Sequence, residues 1–424
     1  MKAGYSCKLF GAHQALMGVK DAVVLLHSVV GCNFSTMGLH FTACDMTDVR
    51  QTCTVISDSE VVFGGEASLK KALDNIAELY SPKYIFVITG CVSDIIQDDA
   101  KTVCKSFEES SGIRTLCIEA AGYRGSIDDG YEDALLALGK ELMGDALIND
   151  RSSIDHGSER EKHDVNRPNE DTTGPNKIPV INILGLGADD HRLRSDIKAI
   201  RDMLEPKVNV GCIFGSCIAE DIKRASDADL NLVIGRGIKL ADYMKEEFNI
   251  PYECIDYPYG LTGAKELWSV MDKYFEMDHS EEVLSFKKYT AEECKRSYSY
   301  IQSLYGMPAA VIGSRARAKG MARFLSSELG MEIEVLAIRE DHRDMDEVYD
   351  LIRSSEAAMV FGSSFERDIC LELGIPLFKY DFPVFDRVIL SDRPLAGKKG
   401  TLCLIEDILN AITDSRSTER PLYR

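Results

Sequence analysis

Two cysteines of this chain stand directly after a glycine at the end of an apolar run: Cys32 in HSVVGCNF and Cys91 in ITGCVSD. A third, Cys7 in YSCKLFGA, comes earlier, and the intervals are 25 and 59 positions. Thiolate is the side chain that holds soft metals and iron–sulfur clusters. The glycines would let backbone amides approach a thiolate or sulfide closely. No compact C-x-x-C run occurs, so spacing leaves two readings open. The three are either strand-end thiols packed as small hydrophobes or ligands of one metal centre.

Other residue types with chemical potential are more easily read as structure. Cys212 and Cys217 in GCIFGSC suit a strand-end core pair, with a redox or ligand role as the alternative. Cys44 and Cys53 flank the charged stretch DMTDVRQT and suit either role. His27, five positions before Cys32, is either a satisfied core histidine or a hydrogen-bonding neighbour of a site. Asp98 and Asp99 are expected to cap the helix QDDAKTVCKSF. No G-x-x-x-x-G-K-[ST] loop, G-x-S-x-G elbow or H-E-x-x-H helix is present. GLGADD (185–190) lacks dinucleotide-loop spacing, so the chain is not expected to hydrolyse ATP.

The elements that must position the thiols alternate in type. KDAVVLLHSVVGC, KYIFVITGC and IRTLCIEAAG read as buried strands, with helical patterns over 67–81 and 131–144 between and after them. Strands alternating with helices predict a parallel sheet covered on both faces. The pattern restarts twice more. The expected architecture is α/β with three Rossmann-like domains: 1–149, a polar linker 150–177, a second domain 178–275, a helical connector 276–306 and a third domain 307–424. Such sheets place ligands at the carboxyl ends of their strands, which is where Cys32 and Cys91 fall.

Composition sets bounds. The 424 residues are 45% hydrophobic and 28% charged, with a formal net charge of −20 and a pI near 4.9. That acidity argues against nucleic-acid binding. No apolar run approaches the ~20 residues that span a bilayer. The stretch MKAGYSCKLFGAHQ lacks a signal-peptide core, so a cytoplasmic location is expected. The 13 cysteines, odd in number and irregularly spaced, are no disulfide framework.

Taken together the motifs resemble component 1 of nitrogenase and its relatives, in particular the β-type subunits: the molybdenum–iron protein β chain, its cofactor-scaffold paralogue and the nitrogenase-like reductases. CKLFGA, HSVVGC (with Ser28 where glycine is usual), SDSEVVFGG, TGCVSDIIQDD and FPVFDR stand in the family's order. The resemblance implies a homologous α-type partner in an α2β2 heterotetramer. It implies Cys7, Cys32 and Cys91 as thiolate ligands of an Fe–S cluster, 4Fe-4S or P-cluster-like 8Fe-7S, shared with that partner. It also implies Phe63 on the surface where an ATP-dependent 4Fe-4S iron protein docks. Electrons would pass one at a time through the cluster to an active site in the partner, on dinitrogen, a tetrapyrrole or a small sulfur compound. The family's α-type cofactor cysteine would fall at Gly235 in NLVIGRG, which suits a β-type role. The β chain's cluster-neighbouring serine falls ambiguously at Gly122 or Ser126. The scaffold paralogue usually lacks the third cysteine, so Cys91 favours an electron-transferring oxidoreductase subunit. A cofactor-assembly scaffold is the alternative, and a cluster-free Rossmann-repeat binding protein is a third possibility.

Overall fold

The computed structural model describes residues 7–43, 50–154, 178–342 and 344–419. Three separate four-stranded parallel sheets carry the chain. The first contains β1 (Ala22–His27), β2 (Gln51–Cys53), β3 (Tyr84–Thr89) and β4 (Arg114–Glu119). The second contains β5 (Val180–Leu184), β6 (Asn209–Ile213), β7 (Leu230–Ile234) and β8 (Tyr252–Ile255). The third contains β9 (Pro308–Gly313), β10 (Glu332–Ile338), β11 (Met359–Gly362) and β12 (Leu377–Lys379). All pairings are parallel, and the orders are β2-β1-β3-β4, β6-β5-β7-β8 and β10-β9-β11-β12. The three-fold α/β expectation holds.

The central strands read as expected for parallel sheets covered on both faces. Every residue of β1 (AVVLLH) and β3 (YIFVIT) is buried. In this order the chain leaves β1 and β3 toward opposite sides, so a crevice opens between their carboxyl ends. Helices of the first unit are α1 (Lys8–Leu16), α2 (Val30–Ala43), α3 (Asp58–Phe63), α4 (Glu66–Tyr80), α5 (Cys91–Ile95), α6 (Ala100–Ser111) and α7 (Ile127–Ile154). Leu69, Leu73 and Ile76 give α4 its buried stripe at helical spacing. Helix α7 runs past the position where the polar linker is expected to begin. Cys44 and most of that linker lie outside the described residues.

Helix α1 lies backbone against backbone on α7. A Cβ added at Gly11 would sit 1.6 Å from the Ile127 carbonyl oxygen, and one at Gly130 would sit 1.9 Å from the Lys8 carbonyl oxygen. At the other end of α1 a Cβ on Gly18 would fall 2.5 Å from the Cα of Gly215, in the turn after β6. There Cys217 N–H donates to the Gly18 carbonyl, and Lys20 N–H to the Cys217 carbonyl. Cys212 and Cys217 are buried in the core that joins the first two sheets, so this pair is packing. Helices Ser280–Cys294 and Tyr298–Gln302 lead to the third sheet. Its last helix, Gly397–Glu419, returns to the second unit, where Leu404 and Ile408 share a core with Ile200 and Leu204 and Asp407 pairs with Arg192 at 2.8 Å.

Alanine is intrinsically favoured over glycine in a helix by about 1 kcal/mol, so any loss on substituting Gly11 reports the α1–α7 contact. Gly11→Ala is expected to destabilise the chain by about 2–3 kcal/mol through overpacking. The check is the urea midpoint, and a stabilised variant would rule out the close approach.

Candidate metal centre

The first sheet brings four of the sequence's thiols to one edge. Cys7 is the N-cap of α1, Cys91 is the first residue of α5, and Cys32 lies in the first turn of α2. Cys32 follows β1 and Cys91 follows β3, so the two flank the crevice where the sheet order reverses. Each sits at a helix start, where unpaired amides and the helix dipole favour negative charge. Burial pushes the Cys7 thiol up, the amides of Leu9 and Phe10 oppose the rise, and charge on Cys91 and Cys32 adds to it. Among the described residues no three His, Cys, Asp or Glu side chains converge closely enough to hold a single metal ion.

Gly122, in the 3-10 turn Gly122–Arg124 after β4, closes the group. Its N–H donates to Cys91 Sγ at 3.1 Å. A Cβ there would lie 2.6 Å from Cys7 Sγ and 3.3 Å from Cys91 Sγ. Ser126, the other candidate for the cluster-neighbouring position, exchanges hydrogen bonds with Asp129 and so caps α7. The position beside the thiols is Gly122. The fourth thiol, Cys53, ends β2 on the Cys32 side of the group.

The strand end beneath Cys32 is fixed by a buried polar pair. His27 Nε2 meets Asp98 Oδ2 at 3.0 Å and His27 Nδ1 meets Thr54 Oγ1 at 3.1 Å. Burial holds the imidazole below its usual pKa, with Asp98 opposing. Asp98 also accepts from Gly65 N–H at 2.8 Å. A Cβ at Gly65 would lie 2.5 Å from Asp98 Oδ2, so only glycine fits there. Of the two aspartates expected to cap α6, Asp99 does so, accepting from Thr102 N–H. Asp98 does not: its carboxylate is committed to His27 and Gly65, because His27 is the buried donor within reach.

Gly65 ends the turn after α3, which carries Phe63. Ser57 and Glu60 form a capping box at the start of α3, and Phe63 stands 88% exposed beside Val62. Phe34 on α2 (79% exposed), Ile95 on α5 and Tyr123 in the 3-10 turn are exposed as well. Large apolar side chains thus protrude from the elements that leave the thiol-bearing edge.

A concavity of about 560 Å³ lies where the second and third sheets face α1 and α7. Gln14, Asp128, Asp190, Arg236, Glu340 and Asp381 line it. No cysteine is among its described lining residues. Gly235 has φ +82°, and a Cβ there would lie 2.9 Å from the Ala316 Cβ, so a cysteine has no room at that position. Gln14 joins α1 to this region, donating to Asp189 Oδ2 at 2.7 Å and accepting from Arg236 at 2.8 Å. Sequence reading left Gly122 and Ser126 undecided, and it missed the His27–Asp98–Gly65 link and this cavity.

Residues 7–413 match the family described as Nitrogenase component 1 type Oxidoreductase. The nitrogenase iron-molybdenum cofactor biosynthesis protein NifE of Clostridium pasteurianum is 28% identical over 93% of this chain and 80% of its own length. The nitrogenase molybdenum-iron protein beta chain of Methanococcus maripaludis is 25% identical over 96% and 93%. The solved structure of nitrogenase Cp1 at pH 6.5 shares the fold, with a TM-score of 0.75, 18% identity, and coverage of 99% of this chain and 94% of that one. Among the described residues no helix is long and apolar enough to cross a membrane.

Asp189 gives the region a pH signature. Burial first, then charge on Asp190, pushes its carboxyl up to about 7. The folded state therefore keeps a proton that the unfolded chain releases near pH 4. This contribution to stability is present below pH 4 and is lost as pH rises to about 7. Asp189→Asn is expected to gain on the wild type by roughly 1–3 kcal/mol between about pH 4 and pH 8. Thermal melts across that range check it, and a constant difference would refute it.

Proposed function

The chain belongs to the nitrogenase component 1 type oxidoreductases, and from that premise we propose that it is the β-type subunit of a nitrogenase-like reductase. The observation that supports this most is the grouping of Cys7, Cys32 and Cys91 at one sheet edge, rimmed by exposed apolar side chains. The donor set suits an iron–sulfur group: thiols at helix starts, a glycine where a side chain would crowd the sulfurs, and an amide already donating to Cys91. Bound there, an Fe–S cluster, 4Fe-4S or P-cluster-like 8Fe-7S, supplies one-electron storage at a potential set by burial and hydrogen bonds.

The roles of this chain's residues follow. Cys7, Cys32 and Cys91 hold the iron on this side, and the apolar rim of Phe34, Ile95 and Tyr123 meets a homologous α-type subunit, which completes the ligand set in an α2β2 assembly. Phe63 is the docking contact for an ATP-dependent iron protein. Asp98 ties that contact to the cluster strand, since it holds Gly65 and His27 together. No cysteine is among the cavity's described lining residues, and in this reading the reduced substrate or its metallocofactor belongs in the partner. Similarity to the NifE protein supports a second reading, a scaffold on which a metallocofactor is assembled. Reductase- and ATP-dependent turnover separates the two.

Anaerobically purified complex should contain iron and acid-labile sulfide, and Cys91→Ala should lose most of that iron. A colourless, iron-free wild type that folds normally would sink the cluster reading. Phe63→Ala should keep its iron and its EPR signal yet lose at least about tenfold in reduction rate by the iron protein, as expected for an exposed aromatic anchor worth about 1.4 kcal/mol or more. An unchanged rate would remove Phe63 from the docking surface.

A further inference from the structure

Cys53 lies outside the three-thiol set that the family resemblance implies, yet it stands at the same edge. It is the last residue of β2, paired in register with Leu26 of β1. The thiol is half-buried and near enough to Cys32 for charge on one to be felt at the other. Together with Cys7 and Cys32 it packs against the core beneath the site. It is not a lone cysteine.

One of its two hydrogen bonds, an amide donated to sulfur, is of the kind that iron-bound cysteines accept. Val55 N–H donates to Cys53 Sγ at 3.3 Å, and the Cys53 thiol donates to the Ser28 carbonyl at 3.4 Å. The first bond depends on Val55 adopting φ +56°, a left-handed conformation that a β-branched residue takes only at a cost. The turn thus spends backbone strain to aim an amide at this sulfur. An amide directed at sulfur stabilises thiolate and tunes a bound cluster.

A second observation is independent of the thiol. Ser28 is fully buried, and among the described residues its hydroxyl has no hydrogen-bond partner. A buried orphan hydroxyl is costly and calls for a partner of its own. The oxygen lies 2.2 Å from where a Gly90 Cβ would be, with Leu9 Cδ1 also close to that point. Gly90 precedes Cys91 and Leu9 follows Cys7 by two positions, so the hydroxyl lies against the elements that carry those thiols. Its backbone carbonyl meanwhile holds Cys53. An electron-rich sulfide or thiolate at this place would accept the missing hydrogen bond.

We propose that Cys53 is a fourth thiolate ligand of the iron–sulfur group, on the Cys32 side, with the Ser28 hydroxyl as a hydrogen-bond donor to it. On binding, the Cys53 S–H bond to the Ser28 carbonyl breaks, the proton passes to solvent and a sulfur–iron bond forms, while the Val55 amide stays on the sulfur. The iron keeps its oxidation state. The proposal rests on the cluster reading above.

The test uses the complex of the full chain with its co-expressed α-type partner, reconstituted anaerobically with iron(II) and sulfide. Wild type, Cys53→Ala, Cys53→Ser and Cys91→Ala are compared by iron and sulfide content and by EPR, with circular dichroism as the check on folding. Cys53→Ala is expected to lose about one iron per cluster and, after ferricyanide oxidation, to show a three-iron EPR signal, and 2-mercaptoethanol added with iron(II) should restore the lost iron. Cys53→Ser, which keeps an oxygen donor and the least disturbed packing, should retain the iron with a shifted EPR signal. Unchanged iron and unchanged EPR in both Cys53 variants, beside iron loss in Cys91→Ala, would overturn the role of Cys53 alone. A wild type that binds no iron would overturn the cluster and this proposal together.

Discussion

The contact on which the rest depends is the backbone-to-backbone seating of α1 on α7. Gly11 and Gly130 remove the side chains that would hold the helices apart. Once they touch, the position of α1 along its own axis is fixed, and its residues reach three places at once. Cys7 at its start is set against Gly122 and Cys91. Gln14 near its end engages Asp189 and Arg236 beside the central cavity. Gly18 just beyond it abuts Gly215 of the second unit. One short helix therefore sets both the thiol site and the junction of two sheets. Interiors are close-packed, so a shift of α1 by even an ångström would be felt in all three.

The thiol-bearing edge follows from sheet topology. With β1 and β3 central and adjacent, the loops that follow them leave in opposite directions, and the space between is the natural ligand crevice. Helix starts then turn amides toward the sulfurs. The same arrangement recurs in the second and third sheets, where the corresponding strand ends carry Asp190, Arg236, Ser314 and Asp381. Those groups make a polar, carboxylate-rich cavity in place of a thiol site. Repetition of a fold has not repeated its chemistry, because chemistry resides in the few residues at the strand ends.

The His27–Asp98 pair joins packing to function. Both side chains are almost fully buried, which is costly unless every polar atom is satisfied. Thr54 and Gly65 provide the remaining partners. The result is a rigid link from the turn behind Phe63 to the strand that ends at the Cys32 helix. Exposed Phe63 and the half-buried thiols are thereby tied to one stiff element.

Much of this was legible in the residues alone. Continuous apolar runs such as AVVLLH and YIFVIT can be satisfied only by strands covered on both faces, so three parallel α/β units follow from the sequence. The glycine–cysteine dipeptides marked the strand ends that flank the crevice of the first sheet, and the ordered motifs marked the family. Tertiary structure decided what depends on distant residues meeting. Strand β2 is three residues long, too short for any periodicity to announce it, so the place of Cys53 beside Cys32 was hidden. Asp98 sits next to a true helix cap, and nothing local distinguishes it from one; only the fold brings His27, 71 positions away, within reach. Gly122 and Ser126 look equally suitable in one dimension, and the close approach of Cys7 to one of them separates the two. Sequence determines which surfaces must be buried; which side chains then face one another across a crevice is decided by packing.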